Sequence, residues 1–165
     1  MSKVYSIKTV QQIPVDIDTA WEFFSRPDNL KHITPANLGF NIISNHHGDT
    51  MYPGQIIEYT VKPVLGIPLY WMTEITHVLD KQYFVDEQRY GPYSMWHHQH
   101  HFKPITGGVE MTDIVHYKIP FWVAGDIAHT LFVKAQLQQI FNHRFIAVEK
   151  RFGKVPGQVN TVIFS

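Results

Sequence analysis

The chain has 165 residues, no cysteine, and 14 basic residues that balance 14 acidic ones. This length fits one domain, and an apolar fraction of 44% is enough for a sizeable core. The neutral balance lacks the basic surplus that nucleic acids and anionic membranes attract, and the absence of cysteine excludes disulfides and thiolate chemistry. The sequence shows neither a signal-peptide pattern nor an apolar run of membrane-spanning length. We therefore expect a soluble, cytoplasmic protein that neither binds nucleic acid nor inserts into a membrane.

The first part of the chain predicts a strand followed by short helices. Residues 4–13 alternate between apolar and polar side chains, which is typical of a half-buried strand. Asp16 or Asp18 can cap a helix over residues 19–25, and a second short helix is expected over residues 29–33. A broken helical segment should therefore separate the first two strands.

The middle of the chain predicts six further strands. We expect them over residues 40–44, 55–61, 69–79, 81–90, 94–103 and 108–119. Residues 62–68 contain two prolines and a glycine, so a loop or an irregular edge is expected there, and its apolar side chains Val64, Leu65 and Ile67 could cover a cavity mouth. The turns between the last four strands are short and should make consecutive antiparallel hairpins.

Residues 126–152 predict one long amphipathic helix, roughly 40 Å in length. Asp126 can accept hydrogen bonds from the first turn, and Gly153 can supply the left-handed residue that ends the helix. The apolar residues cover an arc of roughly 140°. They are Ile127, Leu131, Ala135, Phe141, Phe145, Val148 and Phe152. The tail at 154–165 could pair with an edge strand, dock on a partner chain, or be disordered.

These elements predict an α+β fold in which a curved, seven-stranded antiparallel sheet wraps around the C-terminal helix. A flat sheet of this width would leave many aromatic side chains uncovered. Wrapping leaves space between sheet and helix, so we expect a largely apolar cavity. The sequence contains no linker or internal repeat, and we expect a single domain at 1–153 followed by the tail at 154–165.

Polar residues are predicted to gather on the concave face of three neighbouring strands. Side chains two residues apart share a face of a strand. The residues placed there by this rule are Asp86, Gln88, Trp96, His98, His100, Phe102, Asp113 and Tyr117. The aromatic members favour the concave face, because they would otherwise be exposed to water.

Three interpretations of this polar group remain open. It can be a buried hydrogen-bond network in which carboxylates accept from imidazole and tyrosine groups. It can orient the polar end of a mostly apolar ligand. It can also move a proton, with His98 or His100 as the base and Asp86 or Asp113 orienting the ring. The sequence alone assigns no catalytic residue.

A metal site is weakly indicated. His98 and His100 can supply two imidazoles to one ion, but a third ligand would have to come from Asp86, Asp113 or His116 on neighbouring strands. The sequence does not fix which of them, so we predict no metal and no other cofactor. The motifs of serine hydrolases, phosphate-binding loops, dinucleotide-binding folds and zinc proteases are also missing.

Several short motifs resemble the START-like (SRPBCC) superfamily, which includes the birch pollen allergen and polyketide cyclases. They are Phe84-Val85-Asp86 with Gln88, Gly91-Pro92-Tyr93, Trp96-x-His98-x-His100-x-Phe102, Asp113-x-x-x-Tyr117, Phe141 with Arg144, and Asn29-Leu30 with Ile33-Thr34-Pro35. They are similar to a bacterial ligand-binding-like subgroup, some members of which are fused to nucleotide-sugar-epimerase-like domains. The resemblance covers residues 3–152 and implies a helix-grip fold around a cavity for an apolar or amphiphilic molecule.

The sequence thus predicts a protein that binds a small apolar or amphiphilic molecule. We expect the cavity walls to include Trp96, Phe102, Tyr117, Leu131 and Phe141 and the polar anchors to be Asp86, Gln88, His98, His100 and Asp113. One alternative is a cyclase-like or isomerase-like enzyme that uses His98 or His100 as a base. Another is a non-catalytic interaction module whose interior is filled by its own side chains.

Overall fold

A computed structural model of the chain describes residues 3–45, 49–64, 67–120 and 132–165. These residues form one antiparallel sheet in the order β2-β3-β4-β5-β6-β7-β1-β8. The strands are β1 Tyr5–Ile13, β2 Asn41–Ile42, β3 Gln55–Val64, β4 Ile67–Leu79, β5 Tyr83–Tyr90, β6 Met95–Ile105, β7 Gly108–Lys118 and β8 Thr161–Phe164. Together with the C-terminal helix, the curved sheet confirms the predicted α+β helix-grip class.

The short helices after the first strand are also confirmed. Helix α1 spans Ile17–Phe24, and the carboxylate of Asp16 caps it by accepting a 2.7 Å hydrogen bond from the Thr19 amide. Helix α2 spans Leu30–Ile33 and is flanked by single 3-10 turns at Pro27–Asn29 and Ala36–Leu38. This region therefore lies between β1 and β2 as a series of short pieces.

The long C-terminal helix, α3, spans Lys134–Phe152. Its buried stripe consists of Leu137, Phe141, Phe145 and Val148. Ala135 was predicted on the stripe but is exposed, because it lies about 120° around the helix from the stripe's centre. The predicted first turns at 126–131, including Leu131, lie outside the described residues. None of the helices in the described ranges has the length and apolar content needed to cross a membrane.

The tail adopts the first of its three open alternatives. Strand β8 pairs antiparallel with β1, with Ile7 opposite Phe164 and Val10 opposite Thr161. Phe164 and Val162 pack against the core cluster that contains Ile7. The sheet consequently has eight strands in the described residues instead of seven, and β1 is not an edge strand.

Of the loop and the irregular edge expected at residues 62–68, the described residues show irregular strand pairing. Strand β3 continues to Val64 and β4 begins at Ile67, with an irregular register between Val61 and Val64. Pro63 accounts for the irregularity, because proline has no backbone N–H to donate to the ladder. Ile67 is 54% exposed, and the side chains of Val64 and Leu65 are not among those described, so the covering role expected of these three residues stays a prediction.

Within the part of the chain that the structure describes, the apolar core consists of two clusters. In one, Trp21 of α1 packs edge-on against Phe84 and Phe102, with ring centroids 6.0 and 5.4 Å apart. In the other, Tyr5 stacks on Tyr117 at 5.6 Å and packs beside Leu137 and Phe141 of α3. Helix α1 therefore fills one end of the concave face, and α3 covers another part of it.

Candidate functional site

A cavity of about 430 Å³ lies between the sheet and α3. Small-molecule sites typically have volumes of roughly 300–1,000 Å³. Its apolar walls come from α2, the middle strands and α3, and include Leu30, Ile57, Trp71, Tyr93, Trp96, Ile140 and Phe141. Trp71 and Trp96 meet edge to face with centroids 5.7 Å apart.

One wall of the cavity is charged. Asp86 on β5, His98 and His100 on β6, and Arg144 on α3 all line it. The strand register places Asp86 opposite His98 and His100 opposite Asp113 of β7. His98 and His100 are two residues apart on one strand, so both rings project from the same face. Their ring centroids are 3.7 Å apart, and both side chains are buried.

The two carboxylates contact opposite sides of the imidazole pair. Asp113 Oδ1 lies 3.0 Å from His98 Nε2 and 2.8 Å from His100 Nδ1. Asp86 Oδ2 lies 2.8 Å from His100 Nε2 and 3.6 Å from His98 Nδ1. Hydrogen bonds join His98 Nε2 to Asp113 and His100 Nε2 to Asp86. The close approach of His100 Nδ1 to Asp113 lacks hydrogen-bond alignment, so it is mainly electrostatic.

Asp113 lies behind the histidines and is held from two further directions. Arg144 Nη2 lies 3.5 Å from Asp113 Oδ1. The hydroxyl of Thr9, which is directly opposite on β1, donates to Asp113 Oδ2 at 3.3 Å. Four strands (β1, β5, β6 and β7) and α3 therefore contribute to one buried polar network.

The network shifts the pKa values of its members in different directions. Burial by itself would raise the pKa of Asp113, but the Arg144 charge and contacts with both histidines outweigh it and hold that pKa well below its usual value. Burial would also raise the pKa of Asp86. The hydrogen bond from His100 and the charges of His98, His100 and Arg144 outweigh burial and lower this pKa. Both carboxylates are therefore charged at neutral pH.

The pKa values of the two histidines are shifted in opposite directions. Burial, followed by the charge of His100, lowers the pKa of His98. Burial would also lower the pKa of His100, but its contacts with Asp113 and Asp86 outweigh that effect and raise it. His98 therefore loses its proton more readily than His100. A neutral imidazole oriented by a carboxylate can accept a proton, and two imidazoles with a carboxylate can bind a metal ion.

Five of the ten predicted site residues line the cavity. They are Asp86, Trp96, His98, His100 and Phe141. Asp113 contacts the histidines from behind and does not line the cavity. Leu131 lies outside the described residues.

Three predicted residues have other roles. Phe102 is not a wall, because Trp21 and Phe24 of α1 cover its ring. Tyr117 is fully buried against Tyr5 and also does not line the cavity. Gln88 does not line the cavity, and its amide bonds to the backbone N–H and carbonyl of Tyr93, at 3.3 and 2.6 Å. It holds the β5–β6 turn, and Tyr93 lines the cavity from there.

Arg144 was named from the sequence in a motif with Phe141 but was not placed in the site. It is three residues after Phe141, and this spacing places both on one side of a helix. Trp71 and Tyr59 were also missed, although both line the cavity and their rings stack at 5.8 Å. Each occurs in a predicted strand, so the alternation of side chains could have placed both residues on the concave face.

No family model matches the chain, and no match is found among curated proteins. Solved structures do match. A protein from Arthrobacter aurescens superposes with a TM-score of 0.66 at 10% identity, covering 93% of this chain and 91% of that one. Ginseng major latex-like protein 151 from Panax ginseng gives 0.65 at 13% identity, covering 90% and 97%. A nucleoside-diphosphate sugar epimerase from Corynebacterium glutamicum gives 0.61 at 18% identity, covering 87% of this chain but 28% of that longer one.

The chain has the START-like fold, which it shares with the birch pollen allergen and the major latex-like proteins. The predicted resemblance is thereby confirmed at the level of fold. At identities of 10–18%, the likeness is one of architecture.

Proposed function

We propose that the protein binds a small apolar or amphiphilic molecule in the cavity between the sheet and α3. The observation that carries this proposal is a cavity of about 430 Å³ with aromatic and aliphatic walls and its charged side chains gathered on one of them. Such a distribution gives affinity through apolar burial and orientation through a few polar contacts.

The apolar walls predict how affinity should depend on ligand size. Each buried methylene contributes about 0.8 kcal/mol, equivalent to roughly a fourfold gain in affinity. In a series of straight-chain alcohols, the dissociation constant should fall by about this factor per carbon and then level off when the cavity is full.

The charged wall favours a ligand with one polar end. Asp86 and Arg144 both line the cavity, and a ligand that displaced water from them without replacing the hydrogen bonds would incur a desolvation cost of about 1–3 kcal/mol or more. An alcohol or other amphiphile should therefore bind more tightly than the alkane of the same length.

A pair of variants on α3 tests whether the ligand binds in this cavity. Ile140 lines the cavity, whereas Ile146 is 64% exposed on the same helix. Ile140→Trp fills part of the cavity and should weaken decanol binding at least tenfold in isothermal titration calorimetry, while Ile146→Trp should stay within about threefold of the original protein.

Two results would contradict the proposal. One is equal affinity in the Ile140→Trp and Ile146→Trp variants, which would place the alcohol elsewhere. The other is an absence of both alcohol binding and any apolar compound in a mass-spectrometric extract of gently purified protein. That second result would favour the interaction module instead.

A further inference from the structure

We propose that Asp86, His98 and His100 form a binding site for one divalent first-row transition-metal ion, with an open coordination position that faces the cavity. The proposal goes beyond binding of an organic ligand and does not depend on it.

Three donor atoms converge at this place. One ligand atom from each of Asp86, His98 and His100 lies within 4.8 Å of the others. Ligands at about 2.0–2.2 Å from a tetrahedral ion are roughly 3.4 Å apart. The 3.6 Å between His98 Nδ1 and Asp86 Oδ2 is long for a hydrogen bond but suits two ligands of one ion. His100 Nε2, now 2.8 Å from the same oxygen, would move away by about 0.6 Å, a small side-chain rotation.

The other nitrogen of each ring faces a carboxylate, through a hydrogen bond at His98 and an electrostatic contact at His100. His98 Nε2 and His100 Nδ1 both face Asp113 Oδ1, at 3.0 and 2.8 Å. Metal-bound histidines usually give their second N–H to a carboxylate, which fixes the ring orientation and makes the ligand more basic. Here the Asp113 carboxylate contacts both rings, and Arg144 and Thr9 hold that carboxylate in place.

His98 Nδ1 has no hydrogen-bond partner among the described residues, and it lies 3.6 Å from Asp86 Oδ2. Since Nε2 donates to Asp113, Nδ1 carries a lone pair in the neutral ring, directed at another acceptor. A cation between the two groups would satisfy both of them.

The donor set selects the type of ion. Two imidazoles and one carboxylate suit Zn²⁺, Fe²⁺ or Co²⁺, whereas Mg²⁺ and Ca²⁺ prefer oxygen ligands alone. Metal binding requires both imidazoles to be neutral, and in that state Asp86, Asp113 and Arg144 give the site a net charge of −1 that attracts a cation. All three ligands line the cavity, which leaves room for a water molecule or a ligand atom as the fourth ligand.

Strand β6 provides a matched control. His97 and His101 are on its opposite face, where His97 Nδ1 contacts Glu87 at 2.9 Å and His101 Nε2 contacts Gln99 at 2.9 Å. The same strand therefore carries two pairs of histidines, and only the inner pair converges on Asp86.

Chelator-treated protein should be titrated with Co²⁺ and followed by visible absorbance, with Zn²⁺ as competitor. We expect one equivalent to bind. His98→Ala and Asp86→Asn should weaken binding at least 100-fold, and Asp113→Asn should weaken it by about 10- to 100-fold. The doubly substituted control His97→Ala, His101→Ala should bind Co²⁺ within about threefold of the original protein.

Asp86→Asn keeps the shape of the side chain, and circular dichroism of each variant will show whether it folds. As a measurement without variants, pulsed electron paramagnetic resonance of the Co²⁺ complex should show coupling to two imidazole nitrogens. The proposal is overturned if the original protein binds no Co²⁺ at micromolar concentrations, or if binding survives Asp86→Asn and disappears in the outer-face control. Because no organic ligand is used, these results are independent of the alcohol titration.

Discussion

The buried contact between Asp113 and Arg144 should be strongly coupled although it is not short. Arg144 Nη2 and Asp113 Oδ1 are 3.5 Å apart, and the side chains are 11% and 5% exposed. At an effective dielectric constant of 20, two unit charges at this distance attract by about 5 kcal/mol. Desolvation opposes this attraction, so the net value of the pair is smaller than the cost of removing one partner.

We expect Asp113→Asn to lower the free energy of unfolding by about 3–5 kcal/mol, because it leaves the Arg144 guanidinium buried without its carboxylate. Arg144→Met should cost about 2–4 kcal/mol, since His98 and His100 still contact the carboxylate. The double variant should cost less than the sum of the two, with a coupling energy of about 1–3 kcal/mol. Urea unfolding at pH 7, followed by circular dichroism, measures all three.

The ion pair between Arg89 and Glu74 is the matched control. Its atoms are closer, at 2.6 Å, but the side chains are 45% and 28% exposed. Solvent screening and side-chain entropy should limit its coupling to about 1 kcal/mol or less. The reasoning is refuted if the two cycles give equal coupling, or if the Asp113–Arg144 coupling is below about 0.5 kcal/mol.

Three further predictions concern the core and the sheet. Phe145→Ala should lower the free energy of unfolding in urea by about 3–5 kcal/mol and leave decanol affinity unchanged, because Phe145 is buried away from the cavity. Phe141→Ala should enlarge the cavity, so the best-binding alcohol in the series should become longer. Phe164→Ala should lower the free energy of unfolding by about 1.5–2.5 kcal/mol, because its ring is partly buried on the core. Ile163→Ala, at a 58% exposed position of the same strand, should change it by no more than about 0.5 kcal/mol. Equal losses would mean that β8 does not pack as described. Gly108→Ala should cost about 1–3 kcal/mol, since a Cβ there would lie 2.2 Å from a β1 backbone oxygen, and an unchanged unfolding midpoint would contradict this contact.

The hypothesis that His98 or His100 acts as a base stays a prediction. The structure supplies the geometry it needs, since His98 lines the cavity and Asp113 orients its ring. Without a substrate, this geometry is equally compatible with a ligand anchor.

Local sequence patterns determined the elements and the faces of this protein. Strand alternation placed Trp96, His98 and His100 on the concave face, where all three line the cavity. It also placed Asp86 on that face, because residues two apart share a face regardless of what covers the sheet. The period of α3 and the Asp16 cap were equally local signals, each depending on neighbours within about four residues.

The tertiary structure decided where along each face the cavity lies. Alternation cannot distinguish Trp96, beside the cavity, from Phe102, which helix α1 covers. Nor could it choose the third partner of the histidines, because that choice depends on cross-strand register and on turns far from them. Strand pairing puts His116 opposite His97 on the outer side and leaves Asp86 facing both inner rings. The pairing of the C-terminal strand with β1 joins residues more than 150 positions apart, which no local pattern specifies.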